Sequence, residues 1–394
     1  MAVQGFKPVT LKARRVTVLG STGSVGCNTV AMLERDIDQY EIVALTARAN
    51  VKLLAEQARR LKPKIAVVSD VSRYQDLKIE LAGSGVEAAA GIEAVVEAAS
   101  LPTDWVMAAI VGTAGLAPTL AAIRHGGVVA LANKECLVSA GGLFTKEVKK
   151  YDTDLLPVDS EHNGIFQVFD FKHPEGVEKI VLTASGGPFR SMSRQQMRDV
   201  TPEQAVAHPN WDMGRKISID SATMMNKGLE IIEAFHLFPV KQEQIEIVVH
   251  PQSVVHSMVA YRDGSVLAQL GIPDMRVPIA FTLAWPNRFS VPVRRLDLAK
   301  LGKLTFEAPS EGLFPALRLA REVLLEGGSA PAVMNAANEI AVEGFLDRRI
   351  GFLEIVEIVE RTLNKLQIPK ADTIEEISEV DKLARKFAKA LLPG

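Results

Sequence analysis

The sequence predicts an α/β protein in which an N-terminal doubly wound parallel sheet is followed by a central α+β domain and a small C-terminal α-helical domain. Three observations carry this. Short β-branched runs alternate with helical stretches over the first third of the chain, strands set among polar and glycine-rich loops follow from residue 155, and the end of the chain repeats apolar residues at helical spacing. Alternation of the first kind is the pattern of parallel strands joined by crossover helices.

Taken in order, the first strand is read at 15–19, followed by a glycine-rich turn and a helix over 27–33. The apolar run 42–45, the amphipathic stretch 51–61 and the run 65–68 repeat strand, helix and strand, and 105–111 and 127–131 supply later strands. In such a sheet a ligand lies outside the carboxyl ends of the strands. Beyond residue 155, strands are read at 179–183 and 245–249, and the proline-punctuated segment 286–311 is read as a linker. Helices are predicted at 313–325, 332–345, 352–366 and 373–392. The expected boundaries are therefore 1–154, 155–285, 286–311 and 312–394.

Composition narrows the function. With 394 residues, 47% hydrophobic and 23% charged, the chain can bury well-formed cores in two or three domains. Its 45 basic and 47 acidic residues leave a formal charge of −2, so no global field favours nucleic acid or an anionic membrane, and any anionic ligand must be held locally. Cys27 and Cys136 lie far apart without metal-ligand spacing, which argues against a disulfide framework or a zinc site and for a reducing cytoplasm. The basic lead over 1–15 has no apolar stretch of signal-peptide type, and no apolar run reaches membrane-spanning length, so a soluble protein is expected.

The first chemical motif is Gly20-Ser-Thr-Gly23-Ser-Val-Gly26, between a predicted strand and a predicted helix. Glycines let the backbone turn tightly and approach a pyrophosphate, and the helix N-terminus offers free N–H groups to its charge. A plain βα turn is the bland alternative; the correct flanks favour a Rossmann-like dinucleotide site at the turn that begins with Gly20. An acidic residue after the second strand would bind the ribose hydroxyl of NAD, but here the chain reads Thr46-Ala-Arg48-Ala-Asn50, with a cation for the 2′-phosphate of NADP. Otherwise Arg48 is a solvated loop charge.

The second motif, Pro157-Val-Asp159-Ser-Glu161-His162, delivers two carboxylates two residues apart, expected on one side of an extended backbone. Oxygen ligands without thiolates suit Mg²⁺ or Mn²⁺; ordinary surface charge is the competing reading. The third, Ser221-Ala-Thr-Met-Met-Asn226-Lys227-Gly-Leu-Glu230, places Asn226, Lys227 and Glu230 on one broad helix face, where Glu230 can join the carboxylates and the donors suit a phosphate. A surface Lys–Glu pair has the same spacing. Among other conspicuous residues, His125, His173 and His236 read as helix-end or surface histidines, His256 has a supporting role open to it near the site, and Met224, Met225 and Met275 either border the site or fill a core gap.

The ordered series Gly20–Gly26, Ala132-Asn-Lys-Glu135, Asp159-Ser-Glu-His162, Ala184-Ser-Gly-Gly187, His208-Pro-Asn-Trp211, Asn226-Lys-Gly-Leu-Glu230 and His250-Pro-Gln-Ser-Val-Val-His256 resembles the 1-deoxy-D-xylulose 5-phosphate reductoisomerase family over roughly 15–390. The resemblance implies an NADPH- and metal-dependent homodimer that converts 1-deoxy-D-xylulose 5-phosphate to 2-C-methyl-D-erythritol 4-phosphate in isoprenoid precursor synthesis. It implies metal ligands at Asp159, Glu161 and Glu230 for Mg²⁺, Mn²⁺ or Co²⁺. Phosphate and adjacent substrate contacts are implied at Ser185, Ser221, Asn226 and Lys227, and sugar-backbone contacts at Ser160 and Lys134. A lid over 186–214 would carry His208 and Trp211, and cofactor contacts are implied at the loop positions Thr22, Gly23, Ser24 and Val25, with Asn133, Glu135 and Gly214 near the nicotinamide end. One departure is visible: Ala47-Arg48-Ala49-Asn50 places the cation one residue earlier than the family's usual Ala-Gly-Lys/Arg-Asn. The alternatives kept are a related reductase of another phosphorylated ketose, a non-redox metal-dependent sugar-phosphate isomerase, and a noncatalytic dinucleotide sensor.

Overall fold

The computed structural model of the chain describes residues 13–207, 214–310, 312–367 and 369–393. Its first layer is a seven-stranded parallel sheet of β1 (Arg14–Leu19), β2 (Tyr40–Ala47), β3 (Ile65–Val68), β4 (Glu87–Ala90), β5 (Trp105–Ala108), β6 (Val128–Leu131) and β7 (Asp154–Pro157), in the order β4-β3-β2-β1-β5-β6-β7. Val16, Val18 and Leu19 of β1 are fully buried, as expected of a central parallel strand covered on both faces. The order reverses at β1, so the crevice outside the ends of β1 and β5 is the topological switch point.

The strand β7 straddles the expected boundary at 154/155: it pairs Leu131 with Pro157 and completes the first sheet. A second sheet follows, with β8 (Val177–Ala184), β9 (Ile245–Val249), β10 (Val255–Tyr261) and β11 (Val266–Leu270) in the order β11-β10-β8-β9. Here β8 and β9 run parallel while β10 is antiparallel to β8 and β11. The C-terminal region is helical at Ala316–Glu326, Ala330–Leu346, Glu354–Lys365 and Ile374–Ala390, the last started by a capping box of Thr373 and Glu376. Among the described residues no helix is long and apolar enough to cross a membrane.

Two features of packing place the site. Helix Arg276–Ala284 folds back onto the first sheet, burying Ile279 and Leu283 in the same cluster as Val16, Trp105 and Met107, while the Trp105 indole N–H donates to the Thr282 carbonyl at 3.0 Å. The segment expected to be a linker is also partly ordered: it holds a short helix, Leu298–Leu301, and Glu307 forms an antiparallel bridge with Val249.

Candidate active site

The glycine turn behaves as its sequence requires. Gly20 adopts φ +83°, and a Cβ there would lie 2.6 Å from the Ala109 carbonyl oxygen at the end of β5, so neither conformation nor space admits another residue. Thr46 of β2 accepts from the Gly20 N–H at 2.9 Å, fixing the turn to the neighbouring strand end. Helix Ser24–Arg35 then starts with Gly23 as its N-cap and no side-chain cap, which leaves its first N–H groups turned to the crevice. Exposed Arg48 lies just beyond β2, and Asn50 caps helix Val51–Leu61 by accepting from Leu53 N–H.

Three strand ends and two helices converge on a cavity of about 260 Å³. From β6 comes Lys134, from β7 Asp159, Ser160 and Glu161, and from β8 Ser185. Helix Arg215–Ala222 brings Ser221, preceded by Gly214, and helix Met225–Leu237 brings Asn226, Lys227 and Glu230 on one face, as the spacing predicted. Ser24 and Val25 of the glycine-turn helix line the same cavity, which joins the two expected halves of the site.

Asp159 and Glu161 do not reach it from an extended strand, as had been expected. Asp159 is the N-cap of helix Ser160–Val168, its carboxylate accepting from the Glu161 N–H at 3.2 Å, so the chain turns and brings both carboxylates inward. The Lys134 ammonium contacts Asp159, then Glu233 at 3.3 Å and Glu230 at 3.8 Å. Lys227 pairs with Glu230 and with Glu161 at 3.1 Å. Asn226 donates to Glu230 at 2.5 Å and the Ser160 hydroxyl donates to Glu161 at 2.5 Å.

Four carboxylates thus face two ammonium groups, and the surplus negative charge shows in their titration. Burial, followed by the charges of Asp159 and Glu161, pushes Glu230 up to about 8, and burial pushes Glu233 up to about 6. Burial opposes the charge on Asp159, but the Lys134 ammonium, which also hydrogen-bonds it, together with the other positive groups around it such as Lys227, outweighs burial and holds that carboxyl well below its usual range. Lys134 and Lys227 are both raised: desolvation works against them and the surrounding carboxylates win. Ligand atoms of Asp159, His162 and Glu230 lie within 4.8 Å of one another, and buried His162 keeps Nδ1 without a hydrogen-bond partner while its other ring nitrogen bonds the Glu230 carbonyl at 3.0 Å. Carboxylate oxygens that outnumber the ammonium groups around them, one of them kept from ionising by its like-charged neighbours, fit a hard divalent cation.

Some expected residues stand elsewhere. Asn133 does not line the cavity: its amide donates to the Ile110 and Gly112 carbonyls and accepts from Cys136 N–H, pinning the loop after β5. Buried Glu135 faces Lys216 at 3.8 Å. His208 and Trp211, with the lid segment 208–213, lie outside the described residues. His236 is a helix-end residue but not a surface one; it packs where Gly141 leaves no room for a Cβ, and burial lowers it to about 4. Glu233 was missed, although it follows Glu230 at the i,i+3 spacing that puts both on one helix face. Thr183, Ile217 and Ser253 also line the cavity without having been predicted; Met224, His256 and Met275, for which a place at the site had been left open, border it as well.

A doubly wound sheet whose glycine turn opens into a cavity walled by carboxylates and ammonium groups defines a nucleotide-dependent, metal-assisted oxidoreductase. Family profiles agree along the chain: 1-deoxy-D-xylulose 5-phosphate reductoisomerase at 16–141, its C-terminal domain at 155–238, and DXP reductoisomerase C-terminal domain at 270–387. The 1-deoxy-D-xylulose 5-phosphate reductoisomerase of Rhodospirillum centenum is 60% identical over 96% of this chain and 94% of its own, and that of Zymomonas mobilis 59% over 96% and 98%. The Zymomonas mobilis structure in complex with NADPH superposes with a TM-score of 0.93 at 58% identity, covering 96% of this chain and 99% of that one. A DOX-P reductoisomerase structure with NADPH, fosmidomycin and magnesium gives 0.91 at 44%, covering 96% and 98%. The chain belongs to the 1-deoxy-D-xylulose 5-phosphate reductoisomerase family.

Proposed function

We propose that this chain converts 1-deoxy-D-xylulose 5-phosphate to 2-C-methyl-D-erythritol 4-phosphate with NADPH and a divalent cation, feeding non-mevalonate isoprenoid precursor synthesis. The observation that carries the reading is one cavity in which surplus carboxylate charge, phosphate-type donors and the start of the glycine-turn helix meet. Asp159, Glu161 and Glu230 would hold Mg²⁺, Mn²⁺ or Co²⁺, which when bound supplies a Lewis acid for vicinal sugar oxygens. NADPH supplies the hydride.

The chain's own groups bind, orient and exclude water. Lys227, with Asn226, Ser221 and Ser185, serves the phosphate as a fixed set of donors remote from the reacting carbons, so their binding energy can position the sugar. Lys134 stays charged because its carboxylate neighbours raise it; it therefore donates to sugar oxygens, with Ser160, and does not take up a proton. Gly20, Thr22, Gly23, Ser24 and Val25 receive the cofactor pyrophosphate, Arg48 and Asn50 its adenosine end, and Gly214 the nicotinamide end, where Asn133 and Glu135 act by holding the loop after β5 and the start of helix Glu135–Tyr151 in place. His208 and Trp211 cover the bound sugar and keep water out.

In this reading, 1–154 serves the cofactor, 155–285 serves metal and substrate, and 312–394 supports both. A homodimer is supported by β11, an edge strand with Val266 56% and Leu267 49% exposed, which invites edge-to-edge pairing of two copies. Two free cysteines, Cys27 and Cys136, favour a reducing cytoplasm. The test follows NADPH absorbance with 1-deoxy-D-xylulose 5-phosphate and Mg²⁺ or Mn²⁺, repeated with NADH and with chelator. Chelator-sensitive oxidation of NADPH supports the reading; folded protein that binds NADPH but does not oxidise it refutes the substrate assignment.

A further inference from the structure

Helix Arg215–Ala222 has two working faces. Ile217 and Ser221, one turn apart, line the cavity, and Gly214 at its N-cap does the same. The adjacent face presents Lys216 and Asp220, also one turn apart and 3.3 Å from one another. Lys216 reaches Glu339 at 3.7 Å in helix Ala330–Leu346 and Glu135 at 3.8 Å at the start of helix Glu135–Tyr151. Asp220, almost fully buried, accepts from the Asn338 amide at 2.8 Å. Glu339 is held from behind by Arg385, which pairs with Asp381 at 2.7 Å in helix Ile374–Ala390.

These contacts form a continuous charged tie from the last helix of the chain to the wall of the cavity. Burial opposes the charge on Lys216, but Asp220, Glu135 and Glu339 hold it protonated, and Lys216 and Arg385 lower Glu339 against its own burial. None of these side chains lines the cavity. We propose that Lys216 is a positioning residue, which registers the Ile217 and Ser221 face over the substrate by bracing its helix against Glu339 and Glu135. The C-terminal helices thereby contribute to substrate binding through a residue they hold rather than by touching the substrate. This inference rests on the cavity being the sugar-phosphate site.

The test compares Lys216→Met, Lys216→Arg and Glu339→Gln in the full chain by steady-state kinetics and by hydrogen exchange. Lys216→Met should raise KM for the sugar phosphate about tenfold while kcat stays within about threefold, and Lys216→Arg should recover most of that loss. Amide exchange in 215–222 should speed about tenfold while that in 330–346 is unchanged, a split that general destabilisation would not give. Unchanged exchange in 215–222, or a loss shared equally by all helices, overturns the proposal. If Lys216→Met does not fold, Glu339→Gln, which keeps the Lys216–Asp220 pair, decides in the same two readouts. Wild-type protein inactive on 1-deoxy-D-xylulose 5-phosphate would refute the function above, and the exchange result would still judge the role of Lys216.

Discussion

Two clusters of buried charge lie on either side of helix Arg215–Ala222, and one glutamate from each, Glu230 and Glu339, is shifted in the opposite direction from the other. In the cavity, fully buried Glu230 sits among like charges and rises to about 8; in the tie to the C-terminal helices, Glu339 meets Lys216, Arg385 and Asn335 and is lowered. Burial works against both carboxylates, so the sign is set by partners. A carboxylate that its own protein leaves short of positive charge marks a place for a ligand, whereas one supplied with a guanidinium fork and an ammonium marks a joint.

The sharpest way to break this contrast is to neutralise one carboxylate of each kind. Glu230→Gln should lower kcat/KM by on the order of a thousandfold or more and weaken Mn²⁺ binding in titrations followed by electron paramagnetic resonance. The same substitution should leave the protein at least as stable to urea in chelator at neutral pH, because a carboxyl pushed up to about 8 is already mostly protonated there and the amide replaces it without loss of a charge. Glu339→Gln should do the reverse: Mn²⁺ affinity unchanged and stability reduced by about 1–2 kcal/mol, as expected for one partner removed from a partly buried network.

The pH dependence sharpens it further. Glu230 has a folded-state value of about 8 against an ordinary 4.5, so in chelator its contribution to stability is present below about 4.5 and is lost as pH rises through 8. A divalent cation needs the ionised form. Its affinity, measured by calorimetry, should therefore fall about tenfold per pH unit below 8, and its stabilisation of the fold should grow with pH up to that point. A flat profile would contradict the surplus-charge account. The smallest effect is the control: Thr373→Ala removes the cap of the last helix, should cost about 1 kcal/mol in urea unfolding, and should leave KM unchanged.

What could be read from sequence followed the range of the interactions concerned. The glycine turn and the Asn226, Lys227, Glu230 face are set by neighbours a few residues apart, and both were legible. The approach of Asp159 and Glu161 was not, because a helix cap, invisible to strand-type alternation, turned the chain between them. The strand β4 escaped notice because its Glu-Ala-Ala-Ala sequence carries little strand preference; it is held by pairing with β3. Glu233 offered a usable signal in its spacing from Glu230, and reading that helix face one turn further would have found it. Locally Lys216 shows only an i,i+4 pair with Asp220; the partners that tie it to other helices come from positions 135 and 339, beyond the reach of any local pattern.

The return of helix Arg276–Ala284 to the first sheet carries a consequence for biosynthesis. A chain emerging from the ribosome completes all seven parallel strands by residue 157, yet the apolar patch destined for Ile279 and Leu283, and the indole N–H destined for Thr282, must wait until the whole second sheet has been made. An earlier part of the nascent protein is thus roofed by a later one, and throughout that interval it exposes the kind of surface that chaperones bind.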